Sequence, residues 1–346
     1  MLSGFIGGLL IGIASTIHLL LKGRVTGMSG IFNGMITLDE SITWKSSIFS
    51  GLLFTSSIAY YIFGFGEVTN EVYLFDSPEW FNKRSRTELI MLAGFLVGFG
   101  TKLGNGCTSG HGVCGLPRFS IRSLAAVVTF MLTAFIMANI SYYTFEDAHE
   151  EIFSLQSEDS VDCFVHWAVG VSVLILLVNI LRNKKGYQGV IEIIISFAVG
   201  VIFSLGLLVS GMARKSKVLG FLTFNKHWDP ALMFVMGGAV MLNLLTFYYI
   251  MRKRQKPVFG EKLNIPSNKK IDLKLVMGAA LFGLGWGLGG ICPGPAMVIT
   301  PIYFKSMIQF MISMATGQYF AKHVEEKFEK SVGIKEQPQI HPPCKC

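Results

Sequence analysis

The sequence predicts an all-α polytopic membrane protein with about nine transmembrane helices, four re-entrant loops and an inverted-repeat, pseudo-twofold architecture. Three observations predict this fold class: an apolar composition, hydrophobic runs that recur along the whole chain, and a repeated glycine-rich loop. Of 346 residues, 51% are hydrophobic and only 15% are charged, and the mean hydropathy is +0.51. Because soluble domains average about 25% charged residues, this composition argues against a soluble fold.

The hydrophobic runs approach the roughly 20 residues that a helix needs to cross a bilayer. Soluble α/β cores have shorter apolar runs, which charged turns interrupt. The first run does not resemble a cleavable signal peptide, because no basic segment precedes it and it leads straight into a glycine-rich loop. Spans are predicted at residues 4–21, 47–65, 89–103, 124–143, 165–181, 191–210, 231–251, 273–288 and 303–320.

The distribution of Lys and Arg predicts that the N-terminus lies outside, since basic residues concentrate in the loops that this orientation places inside. The connection at 146–162 holds seven acidic residues and no Lys or Arg, which suits the outer face. The formal net charge of +8 is therefore attributed to topology, and no nucleic-acid partner is predicted. The basic residues that fall on the predicted outer side include Lys83, Arg84, Arg86, Arg214, Lys215 and Lys217.

An internal repeat is visible at residues 4–30, 94–115, 197–222 and 278–296, where a glycine-spaced apolar helix runs into a polar, glycine-rich loop. A single crossing at 165–181 separates the second unit from the third, so the two halves have opposite topology, as in many transporters. The predicted organisation is a first repeat half at 1–162, a linking helix and loop at 163–189, a second repeat half at 190–322 and a polar flexible tail at 323–346.

The four loops are predicted to re-enter the membrane, two from each side. Irregular backbone is tolerated at membrane depth only where protein buries it or where it lines a polar cavity. We therefore expect the loop tips near Gly27, Cys107, Met212 and Cys292 to converge at the centre. In the alternative interpretation, the glycines and prolines serve only close helix packing.

A short half-helix is predicted after each loop, with its N-terminus directed at the centre. Thr108 and Ser109 suit N-cap positions, and Pro293 and Pro295 suit a first helical turn. The free N–H groups and positive dipole at such termini favour an anion.

The loop motifs resemble those of a known family. The stretch at 94–123, which contains Gly-Asn-Gly-Cys-Thr-Ser-Gly-His-Gly-Val-Cys-Gly-Leu-Pro-Arg, is similar to the YeeE/YedE sulphur-transport family. Residues 210–240, with Lys-Val-Leu-Gly-Phe and Trp-Asp-Pro, resemble the partner half that bacteria often encode separately, and Gly-Gly-Ile-Cys-Pro-Gly-Pro at 289–295 completes the pattern. The resemblance covers about residues 4–320 and implies that both halves are fused in one chain.

The resemblance implies a thiosulfate importer in which loop cysteines offer S–H groups to the substrate at successive positions. A thiol is a weak donor and a soft, polarizable group, which suits a terminal sulfur atom. The expected partners are a thiosulfate-like anion and the lipid bilayer, and no enzymatic activity, cofactor or resident metal is predicted. The predicted substrate-binding residues are Cys107, Cys292, Thr108, Ser109, His111, Met212 and Gly294.

Two departures from the family pattern keep a second function open. The first loop, at 25–30, lacks the cysteine that the family's thiosulfate carriers have, and Arg214-Lys215 replaces an Asn-Pro pair in the third loop. A relay of three thiols cannot operate unchanged. The alternative is a non-transporting structural subunit that keeps the transporter fold and has other membrane subunits as partners.

The cysteines allow three other interpretations: a zinc site, a nucleophile pair and ordinary buried residues. Cys107, His111 and Cys114, with Cys292, have spacing compatible with zinc, but His111 is expected to hydrogen-bond a loop carbonyl instead. A Cys107–His111 nucleophile pair lacks a visible orienting group. Both loop cysteines could also be ordinary buried residues.

The remaining cysteines are Cys163, beside the acidic connection, and Cys344 and Cys346 in the tail. Six cysteines so dispersed do not predict a disulfide framework. The expected location is the cell (inner) membrane, or the mitochondrial inner membrane if the source is eukaryotic.

Overall fold

The structure, a computed structural model, describes residues 1–69, 72–83, 86–145, 158–183, 185–226, 228–254, 256–260, 262–266 and 268–331. Within these residues the regular secondary structure is helical apart from one short antiparallel strand pair, β1 (Glu67–Thr69) and β2 (Val72–Tyr73), and an isolated bridge between Arg24 and Asn264. The α-helices are α1 (Leu2–Lys22), α2 (Met28–Ile36), α3 (Ile42–Phe63), α4 (Pro78–Lys83), α5 (Thr87–Leu103), α6 (Ile121–Phe145), α7 (Glu158–Leu181), α8 (Tyr187–Val209), α9 (Lys215–Leu222), α10 (Ala231–Lys253), α11 (Leu273–Gly289), α12 (Pro293–Ile299) and α13 (Phe304–Ser331).

Eight helical segments in the described part of the chain are long and apolar enough to cross a membrane, which confirms an all-α polytopic membrane protein. They correspond to the first eight predicted spans. The ninth, predicted at 303–320, lies in α13, which is long enough but more polar, because Lys, Ser, Gln and Thr interrupt its apolar run. That α13 crosses the membrane stays a prediction.

Glycines allow the long helices to approach backbone to backbone. A Cβ atom at Gly94 or Gly98 of α5 would collide with carbonyl oxygens of α13, and one at Gly317 of α13 would collide with α5. Between α5 and α11, Gly100 and Gly278 face each other in the same way. Lipid tails are as apolar as the helices, so this close packing supplies much of the association energy that burial supplies in water.

The contacts between helices have the symmetry that a repeat predicts: they stay the same when corresponding helices of the two repeats are exchanged. Helix α1 packs on α8 and α10, while α8 packs on α1 and α3; likewise α5 packs on α11 and α13, while α11 packs on α5 and α6. Exchanging α1 with α8, α3 with α10, α5 with α11 and α6 with α13 therefore preserves the pattern. The opposite membrane orientation of the two halves stays a prediction, because contacts alone do not fix the sides of a membrane.

Each of α1, α5, α8 and α11 ends in an irregular loop that leads into a short helix, as the repeat predicts. The short helices are α2, a π-helix at Thr108–Val113, α9 and α12. A 3₁₀ turn at Leu116–Arg118 follows the π-helix. The π-helix and α12 have only six and seven residues, which agrees with the short half-helices predicted after the loops; that these helices bind an anion stays a prediction.

The predicted N-caps of the second loop are wrong. Cys107 is the N-cap of the π-helix, and Thr108 and Ser109 are its first two residues. The Ser109 hydroxyl instead accepts a hydrogen bond from the Met28 backbone N–H at 3.0 Å, which joins the first loop to the second. Pro293 does occupy the first turn of α12, as predicted.

The segment between α3 and α5 holds elements that the sequence analysis did not predict. The β1–β2 hairpin and α4 follow one another there, and Leu74, Phe75 and Phe81 are buried. The Phe81 ring stacks on Tyr303 with a centroid distance of 3.8 Å. This segment therefore packs onto the connection between α12 and α13.

Several predictions fall on residues outside those described. They are Arg84, the acidic connection at 146–157 and the tail from 332 onward, which includes Cys344 and Cys346. Of the tail predicted at 323–346, residues up to Ser331 continue α13 as helix. The described cysteines Cys107, Cys114, Cys163 and Cys292 are free thiols.

The glycine packing gives a test. Gly98→Ala places a Cβ atom against the Met314 carbonyl oxygen, and we expect it to lower the free energy of unfolding by about 1–3 kcal/mol through overpacking. Gly170→Ala in α7 is the control, because a Cβ there meets nothing within 4 Å and alanine favours a helix by up to about 1 kcal/mol. Thermal unfolding in detergent checks both, and an equal loss in the two variants would contradict the packing argument.

Candidate functional site

The loop tips enclose a narrow space, which we call the central cavity. Its volume is about 30 Å³, which is sufficient for water but not for an anion of several heavy atoms without some widening. The surrounding residues come from both sequence halves and are mostly apolar: Ile11, Met28, Cys107, Thr108, Ser109, Val113, Phe203, Leu207, Met212, Val235, Met236, Ala239, Cys292, Gly294 and Pro295.

The central cavity brings together six of the seven predicted substrate-binding residues: Cys107, Thr108, Ser109, Met212, Cys292 and Gly294. His111 does not line it. Its Nε2 lies 3.1 Å from the Gly104 carbonyl oxygen and its Nδ1 lies 3.2 Å from the Ser123 hydroxyl. The expectation that His111 hydrogen-bonds a loop carbonyl is therefore confirmed.

The two cavity cysteines occupy equivalent places in the two halves. Cys107 precedes the π-helix and Cys292 precedes α12, and each is an N-cap with extended backbone. Both are buried, at 2% and 7% exposure. The Cys107 thiol lies 3.3 Å from the Ser109 hydroxyl, and the buried Thr108 hydroxyl has no well-formed hydrogen bond within the described residues.

Methionine side chains complete a sulfur-rich lining, of which the sequence predicted Met212 and the two cysteines. Met28 and Met236 line the central cavity beside Met212 and the two cysteines. A sequence signal for Met28 existed, because Gly27-Met28 in the first loop matches Gly211-Met212 in the third. The first loop thus presents a thioether to the cavity.

A second, larger space of about 330 Å³ adjoins the first, and we call it the basic vestibule. Neighbouring residues line the two spaces in turn: Gly27 faces the vestibule and Met28 the cavity, while Ser109 faces the cavity and Gly110 the vestibule. One layer of loop backbone therefore separates them. No Asp or Glu lines the vestibule among the described residues, and its polar lining includes Ser29, Asn33, Trp44, Lys45, Thr101, Lys102, Asn105, His111, Arg118, Ser120, Arg122, Ser123, Asn268 and Gln318.

The third loop is held by an ion pair with the segment between α3 and α5. Arg214 Nε lies 3.2 Å from a carboxylate oxygen of Asp76, which is 3% exposed. The Ser216 backbone N–H donates to the same carboxylate at 3.0 Å, and the Tyr303 hydroxyl donates to the Asp76 backbone carbonyl. The Arg214-Lys215 pair that departs from the family pattern does not line the central cavity.

The first loop is held by a second buried cluster. His18 Nδ1 lies 2.9 Å from the Thr26 hydroxyl, and Arg24 NH1 donates to Glu192 Oε1 at 2.6 Å. Lys22 lies 3.7 Å from the same oxygen. The sequence analysis missed this role of Glu192, because its partners lie about one repeat half away in the sequence.

The zinc arrangement weighed in the sequence analysis is not seen among the described residues. No group of three or more His, Cys, Asp or Glu side chains is placed there to hold a metal ion. Cys114 Sγ lies 3.8 Å from the Thr26 carbonyl oxygen and does not line the central cavity.

Comparisons with known proteins place this chain among bacterial relatives. Residues 191–331 match DUF6691, a family of unknown function. A probable transporter of Xylella fastidiosa strain Temecula1 is 36% identical over 132 residues, which are 38% of this chain and 88% of the relative. A second probable transporter from that strain is 33% identical over 132 residues, which are 37% of this chain and 85% of the relative. A probable transporter of strain 9a5c is 37% identical over 124 residues, which are 36% of this chain and 84% of the relative. The chain therefore belongs to the same family as these probable transporters of Xylella fastidiosa.

Proposed function

We propose that the protein transports a small sulfur-containing anion of the thiosulfate class, and that the anion passes the central cavity in contact with Cys107 and Cys292. The observation that carries the proposal is the sulfur-rich lining at the meeting point of both halves. Thiols and thioethers are soft, polarizable groups that match a terminal sulfur atom better than a hard oxygen. The bacterial relatives named as probable transporters support a transport role.

The charge of the basic vestibule favours an anion over the other soft ligand class. A lining of thiols and thioethers would also suit a soft monovalent cation such as Cu(I). Such a cation would have to pass the vestibule, which the predicted orientation places on the inner side and whose charged side chains are all basic within the described residues. That field attracts anions and repels cations, so an anion is the better fit.

The proposal includes the resemblance to the YeeE/YedE family, with residues 1–162 and 190–322 as the two repeat halves. It differs from that family's three-thiol relay in its first step. Met28 contributes a soft thioether there, but a thioether has no S–H to donate. Hydrogen bonding to the substrate is therefore assigned to Cys107, Cys292 and the Thr108 hydroxyl. Because the relatives are bacterial, we assign the protein to the bacterial cell membrane.

Uptake into proteoliposomes tests this function. Liposomes that contain the purified protein are expected to accumulate radiolabelled thiosulfate above the level of protein-free liposomes. Unlabelled thiosulfate should compete more strongly than sulfate at equal concentration, since sulfate lacks the soft sulfur atom. An absence of flux in correctly folded, reconstituted protein would favour the alternative of a structural subunit.

A further inference from the structure

The basic vestibule holds two cations without a carboxylate partner in the described part of the chain. Lys45 is paired with Asp39 at 2.5 Å and Arg122 with Asp272 at 3.3 Å. Lys102, which also lines the vestibule, has no carboxylate partner among the described residues. Within the same residues the Arg118 guanidinium donates to two backbone carbonyl oxygens, those of Cys114 at 2.8 Å and Pro266 at 3.2 Å.

Arg118 keeps its charge despite its surroundings. Burial lowers the pKa of its guanidinium from the ordinary value. Arginine nevertheless stays protonated at neutral pH, since its ordinary pKa lies above about 12. Two positive charges in one concave space, neither of them paired with a carboxylate among the described residues, create a strong local preference for negative charge.

A buried tryptophan also borders the vestibule. The side chain of Trp44 is 9% exposed and lines the vestibule. Its indole N–H has no hydrogen-bond partner among the described residues. An indole nitrogen can only donate, but this one is buried and does not open onto the vestibule, so it is not assigned to the site.

We propose that the basic vestibule is a separate binding site for a small divalent oxyanion, held by Lys102 and Arg118. It deepens the proposed function, on which its role in transport rests: on the predicted inner side, the site receives the anion one loop layer away from the thiols. Selection here depends on charge and hydrogen bonding, whereas selection in the central cavity depends on the softness of sulfur. The vestibule therefore accepts sulfate as well as thiosulfate, and the cavity discriminates between them.

Calorimetric titration of inorganic sulfate into the protein in nanodiscs of zwitterionic lipid tests the site. Wild-type protein and the Cys107→Ala, Cys292→Ala double variant are expected to bind sulfate equally. Lys102→Gln should weaken sulfate binding about tenfold, as expected for the loss of one charged hydrogen-bond partner. Added salt should weaken sulfate binding in the wild type.

Two matched variants separate the site from general effects of charge and folding. Lys102→Arg keeps the cation and should retain most of the affinity, whereas Lys253→Gln removes an exposed cation outside the vestibule and should leave sulfate binding unchanged. The same titration in nanodiscs that contain anionic lipid tests whether the site binds a lipid headgroup. If Lys102→Gln alters only the retention of that lipid and leaves sulfate binding intact, the site serves a lipid headgroup and the proposal is overturned.

The proposal also fails if the wild-type protein does not bind sulfate or if the cysteine double variant loses sulfate binding. These results are independent of transport. Sulfate binding that depends on Lys102, without thiosulfate flux, would reject the proposed function and keep the vestibule site. Thiosulfate flux without sulfate binding would keep the proposed function and reject the vestibule site.

Discussion

Replacing Cys107 or Cys292 by alanine is expected to abolish thiosulfate uptake while the fold is retained. Each thiol lines a cavity of about 30 Å³, so a passing anion has few other polar partners within reach. The loss removes both an S–H donor and a soft contact. Because only one small buried group is deleted, the free energy of unfolding should fall by at most about 1–2 kcal/mol. Initial rates of radiolabelled uptake in proteoliposomes, with thermal unfolding of the same samples, measure both effects.

Cys114→Ala is the matched control for the cysteine variants. Cys114 is a buried thiol of the same loop but does not line the central cavity, so its removal should cost similar stability and leave uptake near the wild-type rate. Cys163→Ala, at an exposed position, should be silent, as should Cys344→Ala and Cys346→Ala. Normal transport by both cavity variants would reject the thiol contacts.

Replacing Asp76 by alanine is expected to cost about 3–5 kcal/mol of stability, the range found when one partner of a buried ion pair is removed. The change leaves Arg214, whose side chain is 18% exposed, without its carboxylate. It also removes the acceptor for the Ser216 backbone N–H. The third loop and the segment between α3 and α5 would lose a main attachment. Thermal unfolding in detergent measures the loss.

Two comparisons isolate the ion pair. The double variant Asp76→Ala, Arg214→Ala should recover part of the lost stability, because no unpaired buried cation remains. Glu325→Gln removes a carboxylate from the half-exposed pair with Lys274 and should cost no more than about 1 kcal/mol. If Asp76→Ala were as mild as Glu325→Gln, the buried pair would not hold the loop.

Local sequence predicted the helices and the loop breaks. The bilayer requires a continuous apolar run of nearly fixed length, so hydropathy alone located eight of the spanning helices. The same local logic identified the four loops, since clustered Gly and Pro residues interrupt helices wherever they occur. The N-caps were less predictable, because Ser109 bonds to the first loop and not to its own helix turn.

The candidate site was predictable where the loops repeat and not where it depends on distant partners. Cys107 and Cys292 stand at equivalent loop positions, and the structure brings them to one cavity. Met236 lies within the apolar helix α10, where one methionine among many gives no signal. Arg214 was visible in the sequence as a departure from the family pattern. Its partner Asp76, however, lies 138 residues away in a segment without a periodic pattern.

The sequence by itself determined that this chain lies in a membrane, where its helices break, and which loops carry thiols, because each of these depends on residues that are neighbours along the chain. The tertiary structure alone decided which loops meet, that Met28 and Met236 join the cysteines, and that Lys102 and Arg118 share a vestibule with Trp44. The physical reason is that glycine-mediated backbone contacts between distant helices set these positions. A single sequence does not encode such pairings in any local pattern.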